Sequence, residues 1–463
     1  MAEVEKIADD RAEGTGMTAG RILGTPHAPE IWDACETWSR DRIESHQLER
    51  LKAQLAHVAR ASRHYAKVFA EAGFEPGDLK GLDELRALPL TRKADYLRAL
   101  GAAPPFGAML AVDPAEVVRV HFSSGTTAKP SPDCWTAADI ARWTDLYARL
   151  AYSQGVRRGD VYQCLFNFSW FVGGLGGLMA YQRIGATCIP GGSGDSERQV
   201  ATMFDYGTTA VTATPSFMAH LGEVARRMGR EPRATKLSKI MLGGEPGASI
   251  PATRRMLEEL WDAKCFDGYG SLEFQPIGWD CAAQQGPHLV EDFAVAEVLD
   301  PETGAPVADG TAGVLVLTHL DKQAMPLVRW WTGDMVVRDP ARCACGRTHA
   351  RLAGGVRGRA DDMLVIRGVN VFPSAIEELV RALPGSTGEY LIVIDRDVRD
   401  PASGFLNGLK LRVEAAAGAP ADLGERIAAE VRAKLQVRAR VEMVEAGALP
   451  RSTHKARRIL RED

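Results

Sequence analysis

Residues 209–242, TAVTATPSFMAHLGEVARRMGREPRATKLSKIML, carry the decision about the fold. The run 209–213 reads as a strand, the proline-led segment 215–228 as a helix, and 239–242 as a second strand. The same alternation extends both ways. Upstream come a strand at 161–166, a glycine-rich turn and helix through 173–185, a short strand at 186–190 and a helix at 196–206. Downstream come a helix at 251–262 and a strand at 264–266. Strands alternating with helices imply parallel pairing, so the expected fold class is α/β, with layered sheets and helices.

Outside this core the pattern changes twice. A β-rich section follows at 294–299, 313–319 and 335–337, and upstream Leu48, Leu51, Leu55 and Val58 recur at helical spacing within 43–61. Thr91 is placed to cap a segment beginning at Arg92. Near Gly358 the sequence GRADD reads as a charged joint. Beyond it runs a self-contained α+β series: strand 363–367, helix 374–383, strands 390–395 and 409–414, helix 423–435, strand 440–444. The expected division is a loose arm at 1–27, a large body at 28–357, a hinge at 358–361 and a small lid at 362–463.

A chain of 463 residues has material for several domains, and 56 Lys+Arg against 60 Asp+Glu, a formal charge of -4, gives no reason to expect nucleic acid as a partner. The start MAEVEKIADDRAEG is acidic and polar, and the best apolar stretch, 171–180, is short and broken by glycine. No membrane partner and a cytoplasmic location are therefore expected. Among eight cysteines, Cys35, Cys134, Cys164, Cys188 and Cys265 sit in apolar or aromatic surroundings and read as buried thiols.

The chemistry gathers in loops. HFSSGTTAKP, 121–130, follows an apolar strand-like run and offers the hydroxyls of Ser123, Ser124, Thr126 and Thr127 around Gly125, with Lys129 as a cation. Glycine lets backbone N–H groups turn toward an anion, so the loop suits phosphate; the G-x-x-x-x-G-K-[ST] pattern of the common nucleotide hydrolases is absent. Further on, LGGEP (242–246) ends a strand and FDGYGSLE (266–273) follows the next. Ligands collect beyond the carboxyl ends of strands in open α/β sheets. There Tyr269 offers a flat face for a base and Glu273 a hard oxygen for Mg²⁺. WWTGD (330–334) puts Asp334 in a tight turn, where it would accept ribose hydroxyls or cap the turn.

Taken in order, SSGTTAKP, GGEP, DGYGSLE, WTGD, GRADDMLVIRGVNVFPSAIEE and GALPRSTHKARRI resemble the adenylate-forming enzymes, and among them phenylacetate-CoA ligase and its aryl-CoA ligase relatives. The resemblance implies a two-step reaction in which ATP activates a carboxylate as acyl-AMP and a thiol, usually coenzyme A, then displaces AMP. It implies that Ser123, Ser124, Gly125, Thr126, Thr127 and Lys129 hold the β- and γ-phosphates, and that Thr127 and Glu273 help place Mg²⁺. Gly244, Glu245, Pro246, Asp267 and Tyr269 would line the adenine, Asp334 would bind ribose, and Arg359 would reach ribose or phosphate. Lys455 resembles the adenylation lysine, whose ammonium stabilises charge developing as two anions meet. Asp361 is the hinge candidate, because the family's small domain rotates between half-reactions. Ala128 stands where the family usually has glycine, which narrows the loop's freedom.

Cys281-x₆-His288 with Cys343-x-Cys345 offers three thiolates and an imidazole, the donors of a closed, structural zinc site. Spacing alone fits buried thiols equally well, and a similar cluster in some phenylacetate-CoA ligase relatives favours zinc; His349 is an alternative ligand or a supporting donor. For the acid, FNFSWFVGGLGG (166–177) combines aromatic residues with glycines, and Phe168, Trp170, Phe217, Gly243, Gly270 and Pro276 are expected to line the pocket. A small aromatic acid of benzoate, anthranilate or phenylacetate type fits this lining. Two readings of the acceptor stay open, coenzyme A and a carrier-protein thiol, and the oligomeric state is open too, a homodimer being one option.

Overall fold

In the computed structural model, which describes residues 23–123, 131–360, 364–366, 369–399, 406–451 and 458–462, Ser39 caps the first long helix, α1 (Arg40–Ala61). Its hydroxyl accepts the Arg42 N–H at 3.3 Å, and Ile43, Leu51, Leu55 and Val58 bury one face. Helix α2 (Arg63–Ala72) follows at once, and α3 (Lys93–Ala102) comes after a run of short turns. Thr91 does not cap α3, as its position in the sequence predicts; Arg92 occupies that place. The Thr91 N–H donates to the Arg329 carbonyl at 2.9 Å, its carbonyl accepts from Trp331 N–H at 2.9 Å, and its hydroxyl donates to the Val328 carbonyl at 2.6 Å. A strand remote in sequence thus claims the groups that a cap would have used.

Next come the hairpin β1 (Arg119–Phe122) and β2 (Pro132–Trp135), then α4 (Ala137–Ser153), a buried helix that periodicity did not single out. The alternating core then runs β3 (Val161–Cys164), α5 (Val172–Ile184), β4 (Thr187–Ile189), α6 (Ser196–Asp205), β5 (Ala210–Ala213), α7 (Pro215–Arg227), β6 (Lys239–Leu242), α8 (Pro251–Trp261) and β7 (Lys264–Tyr269). Its strands pair in parallel in the order β4-β3-β5-β6-β7. Beyond β7 the sheet turns antiparallel through β8 (Gly278–Trp279), β9 (His288–Leu289), β10 (Ala294–Leu299), β11 (Ala312–His319), β12 (Trp330–Asp339) and β13 (Arg351–Leu352), in the order β8-β9-β13-β12-β11-β10. Strand β14 (Gly358–Arg359) joins the same sheet beside β12. Asp334 lies within β12, where its sequence context suggested a tight turn. Among the described residues no helix is long and apolar enough to cross a membrane.

A separate C-terminal domain carries its own core. It holds the hairpin β15 (Leu364–Ile366) and β16 (Val369–Val371), then α9 (Pro373–Ala382), β17 (Ser386–Ile394), β18 (Leu409–Ala415), α10 (Leu423–Leu435), β19 (Ala439–Val444) and β20 (Ile459–Arg461). Four of its strands form a sheet ordered β19-β18-β17-β20, covered by Ile427 and Val431 of α10 and Ile376 of α9. This domain touches the large body at the start of α8, where the Glu378 carboxylate accepts the Ala252 N–H at 2.9 Å and the Thr253 hydroxyl donates to Glu377 at 3.1 Å.

A buried ion pair ties α4 to the turn between β9 and β10. Arg149 on α4, with a side chain 1% exposed, donates to both oxygens of Asp292 at 2.7 and 2.9 Å, and Arg142 adds a third bond at 2.9 Å. Removing one partner of such a pair leaves an unmatched buried charge. Asp292→Leu, which takes from the buried Arg149 both of its short bonds, is therefore expected to cost about 3–5 kcal/mol of stability, read as a lowered urea midpoint in the first unfolding transition.

Candidate active site

Residues 124–130 link β1 to β2, and the described residues on either side of them are held by strand pairing. Ser123 closes the near end: its N–H donates to the Ser131 carbonyl at 3.1 Å, and its hydroxyl accepts the Ser131 N–H at 3.1 Å while lying 3.0 Å from the Ser131 hydroxyl. Ser124, Gly125, Thr126, Thr127, Ala128 and Lys129 lie outside the described residues, as do Asp361 and Lys455. Across from the hairpin, Glu273 has a side chain only 12% exposed and pairs with Lys93 at 2.9 Å.

Strands β6 and β7 bring the other loops to the same edge of the sheet. Gly243 N–H donates to the Ala213 carbonyl at 3.1 Å, and a Cβ on Gly243 would stand 2.9 Å from the Gly268 carbonyl oxygen, so only glycine lets these strand ends approach. Gly244 has φ +85°, in the left-handed region that glycine tolerates. Glu245 aims its carboxylate at the start of α7, accepting the Ser216 N–H at 2.7 Å, and Pro246 is exposed.

Asp267, at the end of β7, is buried; it accepts from the Ser249 hydroxyl, and its N–H donates to Asp280 at 3.1 Å. Burial, and then the Asp280 carboxylate, push its pKa up to about 7. Asp280 in turn is paired with Arg254 at 2.6 Å. Asp280, Ser249 and Arg254 belong to no motif, and only packing reveals them.

Two residues farther on, Tyr269 donates its hydroxyl to Asp334 at 2.5 Å. Arg359 donates to the other oxygen of Asp334 at 3.1 Å, because β12 and β14 place these two residues opposite each other. Burial and the nearby Asp334 carboxylate hold the Tyr269 phenol well above its usual range. Gly333 has φ +78°, and a Cβ there would come within 2.8 Å of the Arg359 guanidinium. Tyr269, Asp334 and Arg359 thus form one hydrogen-bonded group at the mouth of the sheet.

The aromatic segment divides. Phe166 lies under Gly173, at 3.3 Å from its potential Cβ, and reaches toward Gly244 at 3.9 Å, while Phe168 lies 3.2 Å from the corresponding position of Gly174. Phe166 thus stands beside the 242–246 loop, while Phe168 lies between Gly174 and Gly192. Trp170 is 62% exposed and packs against Phe122 with ring centroids 5.8 Å apart. Phe217 belongs to a different cluster, the core between α6, α7 and α8, at 2% exposure. Pro276 is buried, and a Cβ on Gly270 would stand 3.1 Å from Gln275.

The ligand atoms of Cys281, His288, Cys343 and Cys345 lie within 4.8 Å of one another, on segments up to 64 residues apart in sequence. Cys281 and Cys343 sulfurs are 3.8 Å apart, and His288 Nε2 is 3.6 Å from Cys345. His288 Nδ1 lies 3.2 Å from the His349 carbonyl, which turns Nε2 toward the sulfurs. His349 supports the cluster through its backbone alone: its ring nitrogens face the carbonyls of Leu289 and Cys35, each at 3.1 Å. Cys35, Asp292 and His349 also lie close together. Asp292 is committed to Arg149 and the His349 ring to two carbonyls, so this trio offers a metal little.

The AMP-binding enzyme family matches residues 45–320, and the AMP-binding enzyme C-terminal domain matches residues 368–462. The chain is similar to a phenylacetate-coenzyme A ligase of Thermus thermophilus, 36% identical over 457 residues that cover 94% of this chain and 99% of that one. It is also similar to 2-hydroxyisobutyryl-CoA ligase. The post-adenylation state of that enzyme with R3-HIB-AMP superposes at TM-score 0.89, 31% identity, over 95% of this chain and 94% of that one. Its thioesterification state with 2-HIB-AMP and CoA, over the same shares and at 32% identity, gives 0.71.

The raised pKa of Asp267 has a consequence for stability. A carboxyl whose folded value, about 7, lies above its unfolded one binds more protons when folded, so its contribution is full at low pH and is lost as pH rises toward 7. Comparing urea midpoints at pH 5 and pH 8, wild type is expected to lose stability relative to Asp267→Asn at the higher pH.

Proposed function

The chain belongs to the AMP-binding enzyme family, and from that premise we propose that it joins a small aromatic carboxylic acid to coenzyme A. In the first step a carboxylate oxygen attacks the α-phosphorus of ATP, pyrophosphate leaves, and acyl-AMP forms. In the second the thiolate of coenzyme A attacks the acyl carbon and AMP leaves. The observation that carries the reading is the Tyr269–Asp334–Arg359 group, followed in the chain after β7 by Glu273, which Lys93 links to the β1–β2 hairpin at Ser131. A carboxylate between a phenol and a guanidinium is built to accept ribose hydroxyls beside a purine stacked on Tyr269. The serine and threonine hydroxyls of the hairpin loop, with Lys129, would hold the terminal phosphates, Glu273 and Thr127 would hold Mg²⁺, and Gly244 and Pro246 would flank the base. Glu245 would act from behind, by anchoring that loop to α7.

The aryl assignment rests on Phe166, whose ring borders the glycine loop where the acyl group would lie, with Phe168 beside Gly174 extending the aromatic wall. Trp170 would close the outer side of that wall, and Phe217 would support it from the core. The higher similarity to the post-adenylation arrangement supports reading the present domain arrangement as the adenylating one. Rotation about 358–361 would then break the bonds from Glu377 and Glu378 to the start of α8. Lys455, assigned from its motif, would contact the reacting groups only before that rotation.

Three sulfurs and one imidazole form a closed donor set suited to zinc, and Cys281, His288, Cys343 and Cys345 would hold it as a structural ion tying three loops together. The acyl chemistry needs nothing from it.

A pyrophosphate-release screen over small acids tests the function. Benzoate-, anthranilate- or phenylacetate-type acids are expected to give the highest kcat/KM, with coenzyme A converted to thioester, and Lys455→Ala is expected to slow acid-dependent release at least a hundredfold. Preference for an aliphatic hydroxy acid would overturn the aryl assignment; acyl transfer to a carrier protein alone would overturn the acceptor. Elemental analysis is expected to find about one zinc per chain, with Cys343→Ser losing the metal and lowering the unfolding midpoint.

A further inference from the structure

Lys93 was no part of any motif, yet it stands between the two halves of the phosphate site. Its ammonium donates to the Ser131 hydroxyl at 2.8 Å, at the far end of the hairpin loop, and to Glu273 at 2.9 Å. Ser131 is itself bonded to Ser123, so the lysine bridges both ends of the loop and the carboxylate assigned to the metal. Its backbone is held in place: two residues earlier Thr91 is bonded on both sides to the strand region 329–331, and one turn later Tyr96 donates to the Pro132 carbonyl in β2. The Lys93 ammonium also rests 5.0 Å from the centre of the Tyr96 ring.

A surface ion pair whose lysine is 45% exposed contributes little to stability, so the arrangement is not explained as a brace for the fold. An ammonium has three N–H donors, and two are engaged here. We infer that Lys93 is a phosphate-binding residue of this enzyme, giving a donor to the β- and γ-phosphates of ATP and holding the pyrophosphate until it leaves. The inference rests on the ATP-site reading above. It also assigns Glu273 two cations, one from the chain and one from solution: when Mg²⁺ takes the carboxylate, the lysine keeps Ser131 and turns its freed donor toward the phosphates.

The test is Lys93→Met in the full-length enzyme, with pyrophosphate and AMP as separate inhibitors. Loss of one charge-assisted hydrogen bond is expected to raise the KM for ATP and the inhibition constant of pyrophosphate by roughly tenfold to a hundredfold. The inhibition constant of AMP, which carries neither terminal phosphate, and the KM of the acid are expected to stay within twofold, and Lys93→Arg is expected to recover most of the loss. Unchanged pyrophosphate inhibition in Lys93→Met, or AMP and pyrophosphate weakened by the same factor, overturns the assignment while leaving the ligase reading intact. A wild-type enzyme releasing no pyrophosphate with any acid would instead overturn the ligase reading itself.

Discussion

Parallel hydrogen bonding among β4, β3, β5, β6 and β7 points every carboxyl end of this half-sheet the same way. Each returning helix must cross the face of the sheet, so the loops after β6 and β7 have no other place to emerge than that one edge. Gly243, Gly244, Asp267 and Tyr269 share an edge for this reason. The antiparallel half then delivers Asp334 and Arg359 to Tyr269 from the other side, through the pairing of β12 with β14. The two pairing rules together assemble a polar group from three segments that are independent in sequence.

Holding the halves in register falls to buried charges as much as to apolar packing. Arg149 with Asp292, Arg254 with Asp280, Arg347 with Glu36 and Lys322 with Asp133 each join segments far apart in the chain. Such pairs gain little over apolar replacements but are intolerant of losing one member, which makes them devices of register more than of net stability. The cysteine and histidine cluster occupies the same layer, beside β9 and β13, where the strands are only two residues long and have few backbone bonds of their own. A metal there would supply cross-links that those strands are too short to provide.

The small domain meets the large one by a different kind of contact. Glu378 reaches the first N–H groups of α8, which have no partner within their own helix and carry the positive end of its dipole. That contact is polar and local, and it is made by two neighbouring carboxylates of α9, of which Glu377 is buried and also paired with Arg381 at 2.9 Å. An interface of this kind resembles the polar, modest contacts between domains that can move relative to one another.

The sequence by itself determined the α/β class, the alternation from residue 161 to 266, the separate C-terminal unit and the ordered loop motifs, because periodicity, glycine and proline act over a few residues. It also singled out Tyr269, Asp334 and Arg359 as candidates, though not that they bond to one another. Thr91, the β12 position of Asp334, the anchoring of Glu245 on α7, and the bridge that Lys93 makes between Ser131 and Glu273 were decided only by tertiary structure. Each depends on a backbone or side-chain partner between 25 and 240 residues away. A local pattern carries the propensity of a group to bond but not the identity of the distant group that satisfies it.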